Sequence, residues 1–471
     1  MKSNKKQNLP NWVVSGHSKP KTRREFLAQG LIPFVASTFL PNPIQLLTSN
    51  EFIESAWGNL NCPSAASNSW IPFIQVDLAG GAALMANVVP MDQGGQMLPS
   101  YSIMGLGGRP NIISVFGNTP FYTASGLLAG INAQTTDVIR NNVSVFNICV
   151  QSGDDRTSNL MAMNGIVQAL GNHGQYLPPT GNTNSATTGR HRPAIIEVNG
   201  PLFVNNFNAI SSSLNYSGAL GALSQPQREK LAKLAKNLNS SQARKLAQSQ
   251  NISVLNEIVG CAGIKNEEVV ISGSNAVDPR QNADMQRIWG INANTAPNTQ
   301  ALVFAALVFN ALRKTSGPAT ITLGGYDYHG NPRNVTDARD NEAGQLIGRI
   351  IASAAALNTP VFIALTSDGS VSSVNSDNPG SNFTSDRGSA GSMIGFIYHP
   401  RGRVNLRNTQ LGYFEQGQLA SERSIVGGST ERAVGGMILN YLALNNRVGD
   451  FEKIARSMFT TSEIDQLILI S

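Results

Sequence analysis

An aspartate and a histidine two residues apart, on a turn that follows a buried strand, are the side chains of this chain best suited to hold a metal ion. They are Asp327 and His329 in Gly324-Gly325-Tyr326-Asp327-Tyr328-His329-Gly330. The apolar run Ala319–Leu323 reads as the strand, and two glycines turn the chain sharply at its end. Carboxylate oxygen and imidazole nitrogen are donors that zinc, manganese and iron accept. In an open α/β sheet, ligands bind at the carboxyl ends of strands. The same residues also fit a plain turn, with Asp327 satisfying backbone amides and His329 acting as a partly buried hydrogen-bonding residue.

A second candidate follows the next apolar run, Val361–Leu365, in Thr366-Ser367-Asp368-Gly369-Ser370. If the two strands are parallel, Asp368 emerges at the same sheet edge as Asp327, with neighbouring strands about 5 Å apart. An Asp-Gly turn without chemistry is the alternative. Thr384-Ser385-Asp386-Arg387-Gly388 precedes the run Met393–Tyr398. There Asp386 is a further ligand candidate and Arg387 an anion contact, or the two belong to a surface loop with an ion pair. Gln75-Val76-Asp77-Leu78-Ala79-Gly80-Gly81 is a strand entering a glycine turn, and lacks the lysine and spacing of a phosphate-binding loop. Gly153 to Asn159 reads as a loop that caps a helix. His173, His191 and His399 have no partner at metal spacing. No Gly-x-Ser-x-Gly elbow supports a serine hydrolase.

The elements that must position these residues alternate short apolar runs with helical patterns, which implies a sheet sandwiched by helices. Strands are expected at Ile71–Asp77, Asn111–Phe116, Val143–Val150, Ala194–Val198, Val269–Ser272, Ala319–Leu323, Val361–Leu365 and Met393–Tyr398. Continuous apolar runs are expected where both sheet faces are covered. Helices are expected at Asn159–Leu170, Gln300–Lys314, Asp340–Asn358 and Thr430–Leu444. In Asp340–Asn358 the residues Leu346, Ile347, Ile350, Ile351, Ala354 and Ala355 recur at helical spacing and form a buried stripe. Helix 340–358 joins strand 319–323 to strand 361–365 as a βαβ unit, so the two strands should be parallel. Tyr176–Arg192 reads as a polar, exposed loop. Ser224–Gln250 reads as a pair of helices, with Leu231, Leu234 and Leu238 along one face and lysines on a solvated one.

The chain has 471 residues, 41% hydrophobic and 14% charged, enough for a large core. Its net charge of +6 is confined to residues 1–50, where seven basic residues oppose Glu25 alone, and the rest of the chain is formally neutral. The basic charge therefore belongs to a tail, and the body offers no nucleic-acid footprint. Within the tail, Thr22-Arg23-Arg24-Glu25-Phe26-Leu27 precedes an apolar stretch to Leu40. A basic region followed by a short apolar one is the signal-peptide pattern, and paired arginines mark its twin-arginine export variant. The stretch is too short and mild to span a membrane. Cys62, Cys149 and Cys261 have no metal spacing. Cys149 lies in an apolar run and reads as a small buried hydrophobe, and Cys62 with Cys261 is the more plausible disulfide pair.

The order of these motifs resembles the domain-of-unknown-function 1501 group of bacterial exported proteins, distantly similar to alkaline phosphatases and sulfatases. The carrying residues are Thr22 to Leu27, then Gly80-Gly81-Ala82-Ala83 leading to Val88-Val89-Pro90, Gly324 to His329, Ser367-Asp368, and Asp386-Arg387-Gly388. The resemblance implies an alkaline-phosphatase-like α/β fold with one large, mostly parallel sheet, spanning residues 51–471, with a helical insertion near 224–250. It implies a metal site at Asp327, His329, Asp368 and Asp386. Ala83 stands where the group has its first acidic ligand, and Arg387 where it has its last histidine. A two-metal phosphohydrolase needs about six ligands, so these departures leave room for at most one divalent metal (zinc, manganese or iron). Arg387 would favour an anion over a metal. The expectation is an exported, periplasmic or secreted protein with a degenerate metallohydrolase-like site. It would bind an unidentified protein or a small anionic ligand. The alternatives are a metal-dependent hydrolase of phosphate or sulfate esters and a structural surface protein.

Overall fold

The computed structural model describes residues 69–152, 163–183, 201–214, 224–250, 274–367, 369–374, 377–378, 381–385, 388–455 and 458–471. The chain divides into two compact units, residues 67–215 with 274–471, and residues 1–66 with 216–273. The expected strands 194–198 and 269–272 and the proposed export signal lie outside the described residues, as do Cys62 and Cys261.

The larger unit is built on an eight-stranded mixed sheet. Its strands are β1 (Phe73–Leu78), β4 (Val143–Ser152), β5 (Thr180–Gly181), β6 (Leu202–Phe203), β7 (Ala319–Leu323), β8 (Val361–Ser367), β11 (Gly388–Tyr398) and β12 (Gln410–Leu411). They lie in the order β12-β4-β11-β8-β1-β7-β5-β6. Only β11 runs against its neighbours, pairing antiparallel with both β4 and β8. Two hairpin pairs stand apart from the sheet, β2 (Ile112–Val115) with β3 (Thr119–Tyr122), and β9 (Ser372–Ser373) with β10 (Phe383–Ser385).

Helices of the larger unit include α1 (Gly126–Gln134), α2 (Asp137–Arg140), α3 (Met163–Ala169), α5 (Gln300–Leu312), α6 (Arg333–Ala356) and α7 (Thr430–Leu444), and the smaller unit carries α4 (Gln225–Gln250). One face of the sheet packs under α3 and α7 in a core containing Phe73, Phe146, Phe362, Met163, Met437 and Tyr441. Phe73 and Phe362 stack with ring centroids 5.7 Å apart, and Tyr441 meets both edge-on. The Tyr441 hydroxyl donates to the Ile71 carbonyl at 2.6 Å, giving the buried phenol its required partner. The other face is covered by α5 and α6, with α1 lying against α6.

The α1–α6 contact rests on glycine. Gly126 and Gly130 on α1, and Gly344 and Gly348 on α6, are each spaced i,i+4 and so share a helix face. A Cβ at Gly130 would overlap the Asn341 carbonyl, and one at Gly344 would overlap the Leu127 carbonyl. The backbones approach closely because neither helix has a side chain there. The expected apolar stripe of α6 is buried at Leu346, Ile347, Ile350, Ile351 and Ala354, and half-buried at Ala355.

Several expectations change. Strand 111–116 is in the separate β2–β3 hairpin, not the central sheet. Tyr176 and Leu177 are buried and Thr180-Gly181 enters the sheet between β6 and β7, so this part of the expected exposed loop is core. A two-residue strand leaves too short an apolar run to read. Ser224–Gln250 carries one continuous helix, α4, rather than two. Neither Gly nor Pro interrupts it after its first turn. Leu234 is 57% exposed, while Leu231 and Leu238 are half-buried.

Candidate functional site

Strands β7 and β8 are both parallel to β1, as the βαβ reading requires, but they are not neighbours, because β1 lies between them. The turns after β7 and β8 are therefore about 10 Å apart rather than 5 Å. The intervening position belongs to the turn Ala79–Gly81. The Ala79 amide donates to the Leu323 carbonyl at 2.9 Å, and the Tyr326 amide donates to the Ala79 carbonyl at 3.1 Å. Gly80 has φ +122°, and a Cβ there would overlap the Asp327 amide nitrogen. Glycine is required at that point by both conformation and space.

Within the Gly-Gly-Tyr-Asp-Tyr-His turn, side chains alternate. Tyr326 and Tyr328 are 1% exposed, whereas Asp327 and His329 are exposed. The Asp327 Oδ1 accepts the His329 amide at 3.1 Å, an Asx turn. Asn331 Nδ2 donates to the carbonyls of Asp327 and His329 at 3.1 and 3.2 Å. The Gly330 amide donates to the Phe383 carbonyl, which ties the turn to β10.

The inward tyrosines lead to a buried carboxylate on α6. The Tyr328 hydroxyl donates to Asp340 Oδ1 at 2.6 Å and Asn87 Nδ2 donates to Asp340 Oδ2 at 2.8 Å. Asn87 Oδ1 in turn accepts from the Ser125 hydroxyl at 2.6 Å, at the N-cap of α1. Burial pushes the Asp340 carboxyl up to about 6, against the lowering effect of those hydrogen bonds and of Arg333. Burial and the Asp340 charge push the Tyr328 phenol far above its ordinary value. Arg333 is itself buried and pairs with Asp337 at 2.8 Å. This cluster fastens the motif turn to α1 and α6.

A second buried carboxylate lies in β1. Asp77 is fully buried, in register with Thr322 on β7 and Thr366 on β8. The Thr366 hydroxyl donates to its Oδ1 at 2.8 Å and the Thr322 hydroxyl to its Oδ2 at 3.3 Å. Gln75 Nε2 donates to Thr366 Oγ1 at 3.2 Å, and Gln75 Oε1 accepts the Met163 amide at 3.0 Å. A carboxylate in an apolar strand was the visible signal for Asp77. The sequence reading misses Asp340 as a site residue, although its place four and seven residues before Gly344 and Ile347 puts it on the buried face of α6.

Of the sequence-derived site residues, Asp327 and His329 share one exposed turn. Asp368, Asp386 and Arg387 lie outside the described residues. Ser367, just before Asp368, accepts the Ala82 amide on its hydroxyl at 2.9 Å. Ala83 is a buried methyl at the N-cap of a single 3-10 turn, Leu84–Ala86. Among the described residues no three His, Cys, Asp or Glu side chains converge as a metal site would need. Cys149 is free and fully buried, with its thiol pushed up by burial. No helix among the described residues is long and apolar enough to cross a membrane. In comparisons with known proteins, no family model and no curated sequence matches this chain.

Proposed function

We propose that this is an exported binding or assembly protein whose α/β scaffold carries a degenerate metallohydrolase-like edge. The observation that carries the reading is the division of labour in the motif turn. Asp327 spends one carboxylate oxygen on the His329 amide, and the two tyrosines lock the turn to the core through Arg339 and Asp340. The nearest described carboxylate in the sheet, Asp77, is buried and bonded by two threonine hydroxyls. With Ala83 buried where the resemblance calls for an acid, the edge is short of the six or so ligands that a two-metal clamp uses. The twin-arginine pattern at Thr22 to Leu27 supports export to the periplasm or beyond.

The competing reading is a single-metal hydrolase of phosphate or sulfate esters, favoured by the shared exposure of Asp327 and His329. Here Asp327 and His329 would hold the ion, which would polarise the ester and activate water. Assays on nitrophenyl phosphate and nitrophenyl sulfate, with zinc, manganese or iron added, separate the two. The binding reading expects no turnover above background. Turnover abolished by His329→Ala would establish the hydrolase instead.

A further inference from the structure

A cleft of about 400 Å³ lies between the β2–β3 turn, α2 and the chain after β11. We propose that this cleft binds the phosphate group of a small polyhydroxylated phosphate monoester. The inference is independent of the function proposed for the motif turn, because no residue is shared.

The first support is the turn. Val115 and Thr119 are paired across the hairpin, leaving three residues between them. All three have positive φ, +51° at Phe116, +89° at Gly117 and +77° at Asn118. Positive φ is an outlier for a bulky side chain such as Phe116. The conformation is held from outside. Phe116 is 4% exposed and packs edge-on against Phe121. The Phe116 carbonyl accepts the Val145 amide at 3.3 Å, and the Thr119 hydroxyl donates to the Val145 carbonyl at 2.5 Å. Successive amides in such a turn form a concave set of donors suited to an anion. Among the described residues, the amides of Phe116, Gly117 and Asn118 donate no hydrogen bond, so three donors are left for a ligand.

The second support is charge. Arg403 lies on the same cleft, with its aliphatic stem directly over Gly117. It makes no ion pair among the described residues, and its one hydrogen bond is a long one, 3.4 Å to the Arg140 carbonyl. Arg140 also lines the cleft, but it is committed to Asp137 and to the Thr135 carbonyl. The local balance is one uncommitted cation. A phosphate monoester presents three acceptor oxygens, which suits a guanidinium beside a row of successive unpaired amides.

The third support is size and lining. The cleft exceeds a bare oxyanion, and its remaining wall offers the side chains of Ser114, Asn118, Asn132 and Asn141. Hydroxyl and amide groups match sugar or polyol hydroxyls.

The test is calorimetric titration of the full chain with glucose 6-phosphate, inorganic phosphate and glucose. Saturable binding of glucose 6-phosphate is expected, with competition by inorganic phosphate and none by glucose. Arg403→Ala, an exposed substitution, should weaken glucose 6-phosphate about tenfold or more, since a charge-assisted contact is lost. Arg403→Lys should recover part of the loss. Absence of saturable binding to both phosphates would overturn the assignment, and so would affinity unchanged by Arg403→Ala in a variant with a wild-type melting profile.

Discussion

The turn at Tyr326–Asn331 follows the carboxyl end of β7, and the turn at Phe116–Asn118, in the separate β2–β3 hairpin, packs near the amino end of β4. In the first, the amides of Tyr326, Tyr328, His329, Gly330 and Asn331 all have acceptors within the fold. In the second, none of the three amides does. The first therefore looks chemically active in sequence and is tied into the surrounding scaffold through Ala79, Gly81 and Phe383. The second carries no motif, yet leaves its three amides without acceptors beside Arg403, which makes no ion pair among the described residues. The first turn is thus bonded into the scaffold at every amide from Tyr326 to Asn331 but that of Asp327, whereas in the second, with Gly117 half-buried and Asn118 exposed, the amides stay open to solvent or a ligand.

Substitutions sharpen this contrast, and the largest effect is expected at Gly80. Gly80→Ala forces a side chain onto φ +122° and into the Asp327 amide. The expected loss is about 3 kcal/mol or more in denaturant unfolding. A near-neutral result would mean that the motif turn is loosely held, which contradicts its scaffold role. Asp340→Ala strands the Tyr328 hydroxyl and the Asn87 amide in the core, for about 2–3 kcal/mol.

Asp340 also gives a pH signature of similar size. Its folded value, about 6, lies above the unfolded 3.8. Its contribution is therefore full below about pH 3.8 and is lost as pH rises through about 6, a change of about 3 kcal/mol as an upper bound. Urea midpoints of wild type and Asp340→Asn, compared from pH 4 to 7, should diverge across that window. Parallel curves would remove Asp340 as a titrating group.

In the hairpin turn, Gly117→Ala should cost only about 1–2 kcal/mol, the strain of a left-handed residue, because the neighbour it meets is the flexible stem of Arg403. A loss as large as that at Gly80 would show that both turns are scaffold. Smallest of all, His329→Ala on its exposed position should change stability by no more than about 0.5 kcal/mol.

The sequence carried the strand β7 and the helix α7 to their final residues, because an apolar run between turn signals and a long helical stripe both record local burial. It did not carry the order of strands. β1 slips between β7 and β8 through contacts more than 240 residues away in the chain, and no local pattern encodes that. The glycine faces of α1 and α6 were present as paired glycines four apart, but only the crossing of the two helices gives them meaning. Asp327 and His329 were legible as a pair. Their outward direction was fixed by Tyr326 and Tyr328 taking the core positions, which is the period-two alternation of extended chain. The Phe116–Asn118 turn gave no signal, since positive φ at phenylalanine is imposed by tertiary packing rather than by residue preference.

The most direct test of the proposed degenerate edge is the metal content of the purified full chain, beside that of His329→Ala. The account predicts substoichiometric zinc, manganese and iron in both proteins, with no difference between them. One equivalent of any of these metals in the wild type, lost in His329→Ala, would contradict it.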